Sequence, residues 1–290
     1  MDWIAGMQFA IDYIEKNINE KLDYEEIAKC ACSSVFHFQR VFSVLCGFTL
    51  GEYIRNRRLS LAGSELAYGK IKVIDAALKY GYDTPESFCR AFTRFHGITP
   101  SQAKNGGDLK SFSPLRLKLI MEGGNLMDYR IEEKGPFKII LKTRRFTTDD
   151  EVNRKQIPEF WNECNSDGTL STLCEFVKPE SVFGKSILGI CEENTCKEDE
   201  KFEYSIGTQY FGGNVPNGYG VKEIPKLTWA IFKCKGAMPH GIQDGWHMIY
   251  SEFFPTSEYK QRLFSDFEVY PEGDMSSEKY ESEIWIPVEK

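Results

Sequence analysis

Apolar residues recur at helical spacing through the first hundred positions, and at a spacing of two through much of the rest. Trp3, Met7, Ala10, Ile11, Ile14 and Ile18 predict an opening amphipathic helix. Asp23-x-x-Glu26 predicts the start of a short helix ending near Cys30. Ser33 or Ser34 caps the next helix, whose inner side is Val35, Phe38, Val41, Phe42 and Leu45, with Gly47 placed to close it. Thr49-x-x-Glu52 opens a longer helix running to about Tyr68. The pattern then returns. A short helix from Val73 to Tyr80 ends at Gly81, and Thr84-Pro85 starts another with Phe88, Ala91, Phe92 and Phe95 inside and Gly97 behind.

A shift of 50 residues carries Ser34 onto Thr84, Phe38 onto Phe88, Arg40 onto Arg90, Phe42 onto Phe92, Gly47 onto Gly97 and Thr49 onto Thr99. A short helix, a tight turn and a second helix make a helix-turn-helix, and the chain is expected to hold two. In the first copy the face opposite the apolar stripe is Phe36, Gln39, Arg40 and Ser43, flanked by Ser34 and His37. Gln pairs with adenine, Arg with guanine, and an exposed aromatic packs on a thymine methyl. In the second copy the face is Glu86, Cys89, Arg90 and Thr93, with Thr84, Ser87 and Arg94 beside it. It is poorer in base readers, and Glu86 repels phosphate unless it accepts from cytosine. Copy one is therefore expected to read bases and copy two to grip backbone. The bland alternative is two solvated helix faces. A joining helix of about 20 residues is about 30 Å long, close to the ~34 Å between successive major-groove faces.

After Met127 short alternating runs take over: TyrArgIleGluGlu, PheLysIleIleLeuLys, PheGluTyrSerIleGly, ThrTrpAlaIlePheLys, AspPheGluValTyr and GluIleTrpIlePro. Helical patterns intervene near Val152–Cys164 and Gly241–Phe254. The whole reads as multidomain: an all-α DNA-binding domain over 1–107, a linker over 108–126, and an α+β domain over 127–290 with largely antiparallel sheet.

Composition adjusts this picture in two places. Net charge is −7, which by itself argues against a nucleic-acid partner. Residues 1–110, however, carry 14 basic and 13 acidic side chains, while the remainder carries 22 and 30. The acidity lies in the second half, and the first is free to meet phosphates. The nine cysteines are scattered, and Cys30-x-Cys32 and Cys191-x4-Cys196 lack zinc-site spacing. The four histidines form no ligand pattern, so no metal and no cofactor is expected. No apolar run reaches the ~20 residues that span a bilayer. The acidic opening residues do not resemble a signal peptide, so no membrane partner and a cytoplasmic location are expected.

The second half lacks a nucleophile elbow, a P-loop and a dinucleotide fingerprint, and no catalytic residue is assigned. Aromatics beside carboxylates are what it offers. Glu268 shares a strand face with Asp266 and Tyr270, and Glu283 with Trp285. Trp161, Tyr204, Tyr210, Trp229, Trp246 and Phe253 are further aromatic candidates. An acid walled by aromatics suits a lipophilic cation, through charge and cation–π attraction.

Leu22 to Lys104 resembles the DNA-binding domain of AraC/XylS-type transcription regulators, through AlaLeuLysTyrGlyTyr (77–82), PheCysArgAlaPhe (88–92) and GlyIleThrPro (97–100). Cys32-Ser33 stands where that family often has Gly-Tyr. From about Met127 the chain resembles the GyrI-like effector-binding domain of Rob-type and BmrR-type multidrug-responsive regulators. The landmarks are PheGluTyrSerIleGly (202–207), ThrTrpAlaIlePhe (228–232), Gly236, PhePro (254–255), PheGluValTyr (267–270) and GluIleTrpIleProVal (283–288). That resemblance implies two βαββ-like repeats around a central cleft, a binding acid at Glu268 and an aromatic at Trp285. Phe253 stands where that family often has Trp. Together the resemblances imply a regulator that binds promoter DNA, meets RNA polymerase and senses a small hydrophobic ligand, aromatic or cationic. The alternatives are a small-molecule hydrolase using Glu268 as general base, and a thiol or metal sensor.

Overall fold

The computed structural model describes residues 3–31, 33, 35–69, 71–117, 127–147, 150–192 and 201–290. The chain divides into two compact units, Met1–Ile120 and Met121–Lys290.

The first unit is helical: α1 (Trp3–Lys16), α2 (Tyr24–Cys30), α3 (Val35–Cys46), α4 (Leu50–Ala67), α5 (Val73–Lys79), α6 (Pro85–His96) and α7 (Pro100–Lys104). The 50-residue repeat holds at the described core, stop and cap positions. Phe38 and Phe42 on α3 are buried, as are Phe88 and Phe92 on α6. Gly47 and Gly97 end those helices at φ +75° and +82°, the left-handed region where a side chain is strained. Thr49 and Thr99 each form a capping box, with Glu52 and Gln102 respectively. Each fully buried Phe contributes about 2 to 3 kcal/mol of transfer free energy, so the period is set by the core as much as by the caps.

Residues 108–117, expected as the first part of a linker, instead lie as an extended strap against this unit. The Lys110 amide donates to His96 Nδ1 at 3.2 Å and the Phe112 amide to Ser60 Oγ at 2.9 Å. The Leu115 amide donates to the Tyr53 hydroxyl at 3.1 Å, and the Leu117 amide to Gln8 Oε1 at 2.9 Å. Under the strap, Arg57 grips Glu15 through two bonds of 2.8 Å and also donates to the Phe112 carbonyl, while the Tyr53 hydroxyl donates to Glu15 at 2.7 Å. Burial acts to raise the Glu15 pKa, but the bonds from Arg57 and Tyr53 outweigh it and hold the carboxyl below its usual range.

The second unit contains β1 (Tyr129–Lys134), β2 (Phe137–Thr147), α8 (Asp150–Ser166), α9 (Thr169–Phe176), β3 (Ser186–Glu192), β4 (Lys201–Tyr210), β5 (Gly220–Ile224), β6 (Leu227–Lys235) and α10 (His240–Met248). A π-helical turn (Ile249–Phe253) extends α10, and β7 (Lys260–Gln261), β8 (Asp266–Pro271) and β9 (Glu281–Glu289) follow. The strands run in the order β1-β6-β9-β8-β3-β4-β2-β5, every described pairing antiparallel, with β7 on β9. The order holds an internal duplication. β2, helices, then the hairpin β3–β4 with β2 beside β4, is repeated by β6, helix, then the hairpin β8–β9 with β6 beside β9. The halves meet where β3 pairs β8. These are the expected βαββ repeats. The alternating runs became β1, β2, β4, β6, β8 and β9, while β3, β5 and α9 carried no clear signal in the sequence.

The two sheet faces differ. One carries Ile139, Leu141, Leu188, Ile190, Trp229, Ile231, Phe267, Val269 and Trp285 in a continuous apolar core with Phe137 and Phe183. The helices pack on the other, where Phe253 meets Phe232 at 4.8 Å and Gly245 lies against Cys234 and Ile284.

Candidate nucleic-acid face and effector site

On α6 the capping residue Thr84 accepts from the Ser87 amide at 3.2 Å, and Pro85 occupies the first turn. The Ser87 hydroxyl donates back to the Thr84 carbonyl at 2.8 Å. With Phe88, Phe92 and His96 buried, the outward stripe is Glu86, Arg90, Thr93 and Arg94, all exposed. Among the described residues the Arg90 and Arg94 guanidinium groups have no ion-pair or hydrogen-bond partner. Two uncommitted cations on one exposed helix face can meet phosphate or guanine.

The first copy departs from its expected face. Gln39 is only 2% exposed, and its Oε1 accepts no hydrogen bond. The reason is helical geometry. Gln39 lies 100° around α3 from Phe38, on the flank shared with Val35 and Cys46, and the core reaches that far. Burial pushes the Cys46 thiol on the same flank up to about 11. Arg40, Ser43 and His37 are half-buried. Burial, then the Arg40 charge, lowers the His37 pKa to about 4, leaving that ring neutral near pH 7. Ser34 and the Phe36 side chain lie outside the described residues. Among the described residues, the α6 face is the more accessible of the two.

In the second unit Glu268 stands on β8 at the junction of the repeats, on the helix-covered face, half-buried. Trp246 on α10 is buried and donates its indole N–H to Glu268 Oε1 at 2.8 Å. The Tyr270 hydroxyl donates to Oε2 at 2.9 Å. From α8, Trp161 is half-buried, stands edge-on to Tyr270 at 5.5 Å, and donates its indole N–H to the buried Tyr204 hydroxyl at 3.0 Å. Both repeats thus send a tryptophan down to the strands at their junction. The result is a carboxylate with both oxygens hydrogen-bonded, floored by sheet and edged by aromatic rings.

Four expected ligand aromatics lie elsewhere. Trp285 pairs with Phe267, so it shares that residue's face and not that of Glu268, whose partner is Ile284. Trp285 and Trp229 are buried in the opposite core, 6.0 Å apart and packed around Phe183 and Phe267. The Trp285 indole donates to Glu283 at 2.7 Å, and Arg130 forks onto the same carboxylate at 2.8 and 3.1 Å. Phe253 is on the helix side but packs against Phe232, Tyr129 and Tyr259. Tyr210 lies four residues along β4 from Ile206, the residue level with Gly189, and contacts Phe176 of α9. Tyr204, an aromatic candidate from the sequence, does stand beside the Glu268 carboxylate, whereas Gly189 escaped selection because only the β3–β4–β8 register brings it there.

Among the described residues no group of three or more His, Cys, Asp or Glu could hold a metal ion. Nor is any helix long and apolar enough to cross a membrane.

Known proteins resemble each unit. The profile of a helix-turn-helix domain family matches residues 27–106, and that of the integron-associated effector binding protein family matches residues 130–288. The HTH-type transcriptional activator AarP of Providencia stuartii is 43% identical over 89 residues, 31% of this chain and 66% of AarP. The right origin-binding protein of Escherichia coli strain K12 is 31% identical over 120 residues, 40% of this chain and 42% of that protein. The chain therefore spans just under two thirds of the first relative and less than half of the second. Among solved structures, SAV2435 bound to tetraphenylphosphonium aligns with a TM-score of 0.49 at 22% identity, over 56% of this chain and 94% of that one. The two family profiles and the sequence relatives agree with both resemblances drawn from the sequence. With its profile covering more than half of the residues, the chain belongs to the integron-associated effector binding protein family and carries a helix-turn-helix domain ahead of that region.

Proposed function

We propose that this chain is a sequence-specific, DNA-binding transcription regulator whose second unit senses a small, hydrophobic, aromatic cation. The observation that carries the reading is the Glu268 carboxylate, held by Trp246 and Tyr270 among aromatic rings, in a chain that also bears a duplicated helix-turn-helix. A fixed negative charge edged by rings attracts a cation that sheds little hydration on entry, by charge and cation–π attraction together. Arg90 and Arg94 on α6, with Thr84 and Ser87 at its start, serve the DNA phosphates. Arg40 and Ser43 serve the first copy, and RNA polymerase is the partner through which promoter binding acts. The DNA-binding part falls within residues 1–107, the effector part begins near 127, and the protein works in the cytoplasm.

A second reading, hydrolysis with Glu268 as general base, is less well supported. Both carboxylate oxygens already accept from neutral donors, which suits a standing charge better than a base.

Calorimetric titration of the full chain with methyltriphenylphosphonium tests the effector reading. Binding should fall about 100-fold in Glu268→Gln. Unchanged affinity in that variant overturns the reading, and turnover of a ligand that vanishes in it would favour the hydrolase.

A further inference from the structure

Gly189 faces Glu268 directly across the β3–β8 ladder, where the two repeats meet. Its φ is not in the left-handed region, so backbone conformation does not demand glycine there. Space does. A Cβ built on Gly189 collides with the Tyr204 hydroxyl and comes within 3.3 Å of Tyr204 Cζ and of Glu268 Oε2. The Tyr204 hydroxyl thus occupies the volume that a side chain at position 189 would fill, next to the carboxylate. It is also the acceptor for the Trp161 indole.

We propose that Gly189 is a specificity-determining position of the effector site. Its missing side chain seats Tyr204, Tyr204 anchors Trp161, and Trp161 with Tyr270 sets how much room an aromatic cation has above Glu268. The inference rests on the reading of Glu268 as the effector's counter-charge. Neither Gly189 nor Tyr204 need touch the ligand, and both act as positioning residues. Tyr204 is only 2% exposed, so it cannot swing away from an added methyl without moving its neighbours. The Cβ projects from the sheet on the helix side, and the displaced ring moves outward, taking Trp161 with it. The room over the carboxylate shrinks while the carboxylate itself stays. A bulky cation loses more than a small one.

The experiment is calorimetric titration of the full chain with methyltriphenylphosphonium and with phenyltrimethylammonium. The variants are Gly189→Ala, Tyr204→Phe, the double variant and Glu268→Gln. Gly189→Ala should weaken the bulky cation by about 10-fold, the lower end of an overpacking penalty, and the small one by less than about 3-fold. Tyr204→Phe removes the atom that clashes but also the acceptor of the Trp161 indole, so the double variant should bind the bulky cation more tightly than Gly189→Ala alone while staying weaker than wild type. A rescue of that kind distinguishes positioning from a general loss of structure. If Gly189→Ala loses its near-ultraviolet circular dichroism, the double variant must regain both that signal and cation affinity. Equal weakening of both cations, or a double variant no better than Gly189→Ala, overturns the proposal. Loss of both cations in Glu268→Gln beside a failed rescue rejects this inference and keeps the effector reading. Wild-type binding by Glu268→Gln rejects the effector reading on its own.

Discussion

The Trp246 indole nitrogen lies 2.8 Å from Oε1 of Glu268, a donor from a helix meeting an acid from the strand beneath it. A hydrogen bond to a charged acceptor is worth about 1.5 to 3 kcal/mol, and the bond ties α10 to the sheet. Trp246→Phe keeps a ring and deletes the N–H. The unfolding transition of the second unit should weaken by about 2 kcal/mol, read as a lower urea midpoint at unchanged slope.

Beneath the strap, Glu15 and Arg57 form a bidentate pair whose side chains are 20% and 8% exposed. Removing one partner strands the other charge, which typically costs about 3 kcal/mol. Glu15→Gln should therefore destabilise the helical unit by about that much. Because the folded pKa of Glu15 is depressed, its contribution is fully present above the unfolded carboxyl value and disappears as pH falls through the folded one. Wild type should thus lose stability more steeply than Glu15→Gln under acid titration below about pH 4.5. Parallel titrations of the two proteins refute the assignment.

Arg90 and Gln39 should behave oppositely in DNA binding. Fluorescence anisotropy on a 30-base-pair duplex across a salt series should show Arg90→Ala losing affinity, with a slope shallower by about one. Gln39→Leu should bind as wild type does and melt higher, since it removes a buried oxygen that no donor serves, worth about 1 kcal/mol or more. A DNA defect in Gln39→Leu with native stability would return Gln39 to the reading face.

His96 makes the strap sensitive to acid. Its Nδ1 accepts from the Lys110 amide while Nε2 lies 3.0 Å from the Leu59 carbonyl, an arrangement that requires the neutral ring. Burial is the main cause of its lowered pKa, and the Leu59 bond opposes it. With the folded value below the unfolded one, the unfolded chain takes up the proton first, so stability declines as pH drops below about 6.5. Hydrogen exchange at the Lys110 amide should quicken relative to Phe112 between pH 7 and pH 5.5, after correction for intrinsic rates. A constant ratio counts against the latch.

Much of the first unit was legible because its evidence is local. Phe38 and Phe88, Gly47 and Gly97, and Thr49 and Thr99 each repeat a requirement of one helix, core, stop or cap, that the neighbouring residues display. Gln39 was misjudged because a helix pattern gives angles and not the width of the buried sector. In the second unit, alternation found six strands and placed Glu268 with Tyr270. It could not say that Glu268 would pair with Ile284 and Trp285 with Phe267, since register between distant strands leaves no mark on either strand alone. Gly189 was hidden for the same reason.

The duplicated sheet has a consequence for how a guest can be oriented. A perfectly twinned host would offer matching acids from both copies, and an unsymmetrical guest could enter either way round. Here one twin brings an anion and the other, directly opposite, brings bare main chain. Under the effector reading proposed above, such division of labour between twins gives the seat a single polarity, so that a guest with one charged end has one preferred direction of entry.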